Sequence, residues 1–368
     1  MKAKEILKQM SPYKPGKQIE EVKKEYGLKN IVKLASNENP FGFSPVVKKE
    51  LPNLISQLEL YPDGYSAALR DKVAEKLSVD PTQLIFGNGS DEVVQIICRT
   101  FLERGTNTVM ATPTFPQYKH NALIEGAEIR EVQLVEGYHD LEAMLDQVDE
   151  QTRVLWLCSP NNPTGAHINE TQLLNVLDRC PEDVLVVLDE AYYEYIEAED
   201  YPDAINLLDR YPNLMVLRTF SKAYGLAGLR IGYGVAQSAV IEQLDPAREP
   251  FNTSTIAQAA AILALDDQKF IEDTFKRNVS NKHALMEFCN EIGLNYYDSE
   301  ANFLFILLPM SGDQLFQHLL SKGYIVRSGE ALGIPKSIRL TIGSKEDMEH
   351  IQSEIKNFME LYHAGAVR

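Results

Sequence analysis

From about residue 66 the chain alternates short, β-branched apolar runs with stretches of helical period, and few folds accommodate that rhythm. The apolar runs fall at 83–86, 108–111, 128–134, 153–157, 184–188, 214–218 and 231–235. Helical periods occupy 90–103, 116–125, 140–149 and 169–179 between them. Parallel strands need crossover connections, usually helices, and a sheet covered on both faces has strands that are apolar throughout. The alternation therefore predicts an α/β fold, with a large domain over residues 46–280 built on a seven-stranded, mostly parallel sheet flanked by helices. After Pro250 the pattern changes to helical stretches at 256–264 and 268–292, strand candidates at 303–307, 324–326 and 337–341, and a last helix at 346–361. That predicts a smaller α+β domain over 281–368. Residues 1–45 are rich in turn formers, including Ser11-Pro12-Tyr13-Lys14-Pro15-Gly16 and Ala35-Ser36-Asn37-Glu38-Asn39-Pro40, and predict an arm that packs partly with the small domain.

Charge narrows the range of partners. The 53 acidic and 36 basic residues give a formal net charge of −17, and no basic stripe interrupts that field. A nucleic-acid partner is excluded on these grounds. An anionic small ligand would need a few local arginines. Apolar runs fall far short of the ~20 residues a membrane span requires. Cys98, Cys158, Cys180 and Cys289 form no Cys-x-x-Cys pair and the seven histidines form no ligand cluster, so no metal is expected. The lysine-rich start carries Glu5 and lacks an apolar signal core. A soluble, cytoplasmic protein is the expectation.

In open parallel sheets ligands bind beyond the carboxyl ends of the strands, so the residues just after each apolar run matter most. The first run leads into Gly87-Asn88-Gly89-Ser90-Asp91, a glycine turn opening a helix whose free N–H groups suit an anion. A plain N-cap would read the same way. The fourth leads into Ser159-Pro160-Asn161-Asn162-Pro163-Thr164-Gly165, a rigid loop able to hold an amide in one orientation, or a simple turn. The fifth leads into Asp189-Glu190-Ala191-Tyr192, where a carboxylate leaving a buried strand must find a donor or a cation. The sixth leads into Thr219-Phe220-Ser221-Lys222 and, after Leu226-Ala227-Gly228-Leu229, Arg230.

In this order and spacing the last three of these segments resemble the fold-type-I aminotransferases that use pyridoxal 5′-phosphate (PLP), and the resemblance covers nearly the whole chain. Within that group the chain is most similar to the histidinol-phosphate aminotransferases. That resemblance rests on Tyr13, the Ala-Ser-Asn-Glu-Asn-Pro segment, Tyr61-Pro62, Arg327, and Arg339 in Ile-Arg-Leu-Thr-Ile-Gly. It implies that Lys222 carries PLP covalently and moves the proton at the reacting carbon. It implies that Asp189 pairs with the pyridine nitrogen, and that Asn162 and Tyr192 hydrogen-bond the phenolic oxygen. Ser90, Asp91, Thr219, Ser221 and Arg230 would surround the phosphate, with Tyr61 of the partner subunit reaching in across a homodimer. Phe115 would stack on the ring, where many relatives carry Tyr or Trp, and Tyr118 is a possible substitute. Tyr13, Asn37, Arg327 and Arg339 would bind substrate.

The activity so implied is transamination of L-histidinol phosphate with 2-oxoglutarate in histidine biosynthesis. The same scaffold also serves aromatic amino-acid aminotransferases and PLP-dependent decarboxylases of the phosphothreonine type. An aminotransferase-like effector domain of a transcription regulator is a further alternative, against which the short arm and the well-supported Lys222 both argue.

Overall fold

The computed structural model describes residues 1–10, 16–55 and 58–366, so Tyr13 lies outside the described residues. After the helix Ile19–Tyr26, closed by Gly27 in the left-handed region, the arm contributes one short strand, β1 (Val32–Lys33). The large sheet then follows in chain order: β2 (Leu84–Gly87), β3 (Asn107–Thr112), β4 (Glu128–Gln133), β5 (Thr152–Cys158), β6 (Leu185–Asp189), β7 (Leu214–Thr219) and β8 (Gly232–Ala236). Their spatial order is β2-β8-β7-β6-β5-β3-β4, and among the described strands β8 alone runs against the rest. The seven runs expected from sequence are these seven strands.

Two cores explain why the strands inside the sheet are largely apolar, unlike the half-exposed edge strand β4. Successive side chains point to opposite faces. Leu155, Leu157, Val186, Leu188, Leu214 and Val216 enter one core with the helices Ala67–Leu77, Glu170–Arg179 and Thr255–Asp266. Val154, Trp156, Leu185, Val187, Met215 and Leu217 enter the other, against the helices Ser90–Phe101 and Gln117–Glu125. Asn169 starts one crossover helix sharply: its side chain accepts from the Gln172 N–H while Gln172 caps the Asn169 N–H in return.

The C-terminal part holds β9 (Tyr296–Tyr297), β10 (Phe303–Leu307), β11 (Tyr324–Ile325), β12 (Arg327–Ser328) and β13 (Ser337–Thr341). Strands β12, β13, β10 and β9 form an antiparallel sheet, backed by the helices Gly312–Ser321 and Lys345–His363. The run 324–326, read as one strand, is two. Tyr324 and Ile325 pair with β1 of the arm, the chain turns at Val326, and Arg327 begins an edge strand of the other sheet. The arm is thereby tied to the small domain, and Leu34 joins its core. The helix Gln268–Glu291 runs through the expected boundary at 280. Ile271 packs against the large core, whereas Leu285 and Cys289 belong to the small one. The helix expected over 140–149 is shorter, Leu141–Leu145.

Candidate active site

A cavity of about 940 Å³ opens where the carboxyl ends of β5, β6 and β7 meet the arm and the antiparallel sheet. Asp189, the last residue of β6, lies at its floor and is almost wholly buried. Its two oxygens are held by neutral donors. The Tyr118 hydroxyl donates to Oδ2 at 2.6 Å and the Ala191 N–H to Oδ1 at 3.2 Å. Burial pushes the Asp189 carboxyl up to about 6, because the Tyr118 hydrogen bond only partly offsets the loss of water. The carboxylate therefore gains from any proton or cation brought beside it. Tyr118 is fixed in turn by stacking on Trp156, with ring centroids 4.7 Å apart.

Lys222 comes from the loop after β7. Its Nζ donates to the Ser36 carbonyl of the arm at 3.1 Å and lies 5.8 Å from the centre of the Tyr192 ring. Burial, aided by the positive charge of Arg339, lowers its ammonium to about 8, so a useful fraction is neutral near physiological pH. That is the state a nucleophilic amine needs.

At the other end of the cavity the helix Ser90–Phe101 points its N-terminus inward beside Ser221, Thr219 and Arg230. Two glycines make this close approach possible. A Cβ on Gly232 would lie 2.4 Å from the Ser90 nitrogen, and one on Gly89, with φ 76°, would lie 2.5 Å from Arg230 Nη2. The Arg230 guanidinium reaches Ser221 Oγ at 3.3 Å and Asp91 Oδ2 at 3.1 Å. Free N–H groups, two hydroxyls and a guanidinium make a cradle for a phosphate dianion, and the Asp91 carboxylate holds the guanidinium in place.

The small domain and the arm close the cavity. Arg327 and Arg339 are register partners across β12 and β13, so both side chains project from the same face into the cavity. Facing like charges are unfavourable unless an anion lies between them. Arg339 donates to Asn162 Oδ1 at 2.5 Å and to the Ala35 carbonyl at 2.7 Å. Glu330, the local alternative partner for Arg327, is occupied elsewhere. Burial opposes its charge, but Ser328, Ser311 and the Lys336 N–H donate to it and hold its carboxyl down to about 2.

The match to known proteins agrees with this geometry. Residues 29–355 match the family model for aminotransferase class I and II. The chain belongs to that aminotransferase family. It is 60% identical over 359 residues to a histidinol-phosphate aminotransferase of Geobacillus thermodenitrificans, covering 98% of each chain. It is 61% identical over 352 residues to the enzyme of that name from Bacillus subtilis, covering 95% of this chain and 98% of the other. Among solved structures it is similar to the histidinol-phosphate aminotransferase of Sinorhizobium meliloti in complex with pyridoxal-5′-phosphate, at 26% identity, TM-score 0.86 and 95% coverage of each chain.

Of the site residues expected from sequence in this aminotransferase, Ser90, Asp91, Phe115, Asn162, Asp189, Tyr192, Thr219, Ser221, Lys222 and Arg230 line the one cavity, with Asn37, Arg327 and Arg339. Tyr61 does not. It is 82% exposed and stacks on Phe251, with centroids 4.8 Å apart. Tyr118, considered as a ring-stacking substitute, is instead buried behind Asp189, so of Phe115 and Tyr118 it is Phe115 that lines the cavity. Asn37 differs from a free substrate ligand: its amide is engaged by Tyr192 and Thr341. The donor role of Tyr118 and the place of Cys158 on the cavity wall are additions. The only sequence trace of the first is an aromatic three residues beyond Phe115, at a helix start.

Proposed function

We propose that this aminotransferase moves the amino group of L-histidinol phosphate to 2-oxoglutarate, giving imidazole acetol phosphate and glutamate in histidine biosynthesis, with PLP as bound carrier. The donor set fits PLP: a dianion cradle whose donors approach so closely that no Cβ fits at Gly89 or Gly232, a proton-seeking carboxylate at the opposite end, and a partly neutral lysine between. When bound, PLP supplies the electron sink that a free amine in water lacks.

The chain's own residues do the rest. Lys222 Nζ holds the cofactor covalently and takes and returns the proton at the substrate carbon. Asp189 keeps a proton on the ring nitrogen. Asn162 and Tyr192 bond the phenolic oxygen, and Phe115 packs on the ring face. The backbone of Ser90 and Asp91 with Thr219, Ser221 and Arg230 binds the phosphate, joined by Tyr61 of the partner subunit. A homodimer of this kind is supported by Leu58, Leu60, Tyr61, Tyr65 and Phe251, large apolar groups left largely exposed in a single chain. Four buried free cysteines suit a reducing, cytoplasmic setting, and no described helix is long and apolar enough to cross a membrane.

The paired guanidinium groups of Arg327 and Arg339 carry the substrate assignment. A phosphate monoester offers more charge and more acceptors than a carboxylate. One bond to a charged group contributes about 1.5–3 kcal/mol. Arg327→Ala should therefore lower kcat/KM for histidinol phosphate by roughly one to two decades while changing it far less for phenylalanine. The measurement is a single half-reaction, following the cofactor's absorbance after each amine is added alone. Equal losses for both amines would refute the assignment.

A further inference from the structure

We infer that Asn37, placed among the substrate ligands by sequence, is a positioning residue: its amide sets which way the Tyr192 hydroxyl donates. The inference rests on the reading above that Tyr192 meets the phenolic oxygen of PLP.

Asn37 is buried to 1% exposure and adopts φ 57°, a left-handed conformation that asparagine tolerates better than most residues. Four hydrogen bonds fix it. The Asn302 amide donates to its carbonyl at 3.0 Å, and its own N–H donates to Thr341 Oγ1 at 3.1 Å. The Thr341 hydroxyl then donates to Asn37 Oδ1 at 2.9 Å. With Oδ1 occupied by a donor, the NH₂ group is the end left to face Tyr192, and Nδ2 donates to the Tyr192 hydroxyl at 2.9 Å.

That direction matters because a phenol has one proton and two lone pairs. A Tyr192 oxygen that accepts from Asn37 keeps its proton for a partner in the cavity. With the amide reversed, Tyr192 would give that proton to Asn37 and offer the cofactor only a lone pair. Thr341 opposes the reversal, because a reversed amide would take away the acceptor that its hydroxyl proton uses. It belongs to β13, two residues from Arg339, so the strand that presents a substrate arginine also orders the hydroxyl facing the cofactor. The ring of Tyr192 is braced edge-on by Phe303 at 5.2 Å, which fixes the oxygen but not its proton.

The test is a pH titration of the visible absorbance of the PLP-loaded enzyme. A hydrogen bond donated to the phenolic oxygen stabilises its negative charge and so favours the deprotonated chromophore. Losing the donor raises the midpoint. Tyr192→Phe should raise it by about one pH unit, equivalent to a tenfold change in the protonation equilibrium. Asn37→Gly keeps the left-handed backbone, removes the amide, and should raise it in the same direction. Thr341→Val, which removes the hydroxyl that orients the amide at nearly constant shape, should produce a smaller rise and serves if the glycine variant does not fold. In a Tyr192→Phe background neither change should move the midpoint further. An unchanged midpoint in Asn37→Gly, or an equal shift with and without the Tyr192 hydroxyl, overturns the positioning role while leaving the Tyr192 assignment standing. No shift in Tyr192→Phe alone overturns both.

Discussion

Replacing Asp189 by asparagine should stabilise the cofactor-free protein and cripple the loaded one. In the free protein the carboxylate is buried at 3% exposure with only two neutral donors. Its rise from 3.8 to about 6 corresponds to about 3 kcal/mol of unfavourable ionised burial at neutral pH. Asparagine removes the charge but has one carbonyl oxygen for two donors, so about 1 kcal/mol is returned. A net gain of about 2 kcal/mol remains, on the order of 0.5 M in urea midpoint for a chain this large.

The sign with pH follows from a raised carboxyl. The native state binds the proton more tightly than the unfolded chain, so the penalty is complete above about pH 6 and fades as pH falls toward 3.8. The advantage of Asp189→Asn should be full at pH 7.5 and gone, or slightly reversed, at pH 4, where only the lost hydrogen bond remains. With PLP bound the order reverses. The variant keeps the phosphate cradle but cannot hold the ring proton, and kcat should fall by about 10²–10³. Urea unfolding of both cofactor-free proteins at the two pH values is the measurement. A wild type at least as stable as the variant at pH 7.5, or a difference independent of pH, would refute this account of Asp189.

Two other changes test the site. Lys222→Ala should abolish turnover and covalent cofactor, and borohydride reduction of the wild type should label Lys222 alone by peptide mapping; because the amine titrates near 8, recapture of PLP by cofactor-free enzyme should accelerate from pH 7 and level off above about 9. Mixing Lys222→Ala with Tyr61→Ala should restore activity through hybrid dimers with one intact site, whereas a fully active monomer in sedimentation would exclude shared sites.

Most of this architecture was legible because the signals are local. Strands buried on both faces read as near-continuous apolar runs, which describes six of the seven; the edge strand β4, half exposed and alternating, was read from its β-branched residues, and all seven came out within a residue or two of their ends. Chain direction places Asn162, Asp189 and Lys222 at or just past the carboxyl ends of β5, β6 and β7, whereas the roles proposed for them came from the family resemblance. What stayed hidden depends on contacts remote in sequence. Strands β1 and β9 are two residues long and carry no period. The split at Val326 exists because Ile325 pairs with Lys33 of the arm and Arg327 with Arg339, contacts hundreds and a dozen residues away. The Tyr118–Asp189 and Asn37–Tyr192 bonds span 71 and 155 residues, and no spacing rule anticipates them.

Asp189 and Glu190 make the same point at one peptide bond. Both are buried carboxylates at the end of β6, and the sequence resemblance points to Asp189 alone. Consecutive strand residues face opposite sides, so they meet different surroundings. Glu190 turns away from the cavity and meets Arg218, whose Nε and Nη2 both lie 2.8 Å from Oε2 and whose guanidinium packs 3.5 Å from the centre of the Tyr193 ring. Its charge is answered by an equally buried cation, and taking either partner away would leave the other bare, at about 3–5 kcal/mol. Asp189 meets a phenol and an amide, neither of which carries charge. Among the described residues no cation neutralises it, although a neutral side chain would fill the same space at lower energy. A protein retains a carboxylate under those conditions when a ligand completes the pair, and the pair is completed only on the cavity side. Of the two residues, we therefore propose Asp189 as the functional one and Glu190 as the structural one.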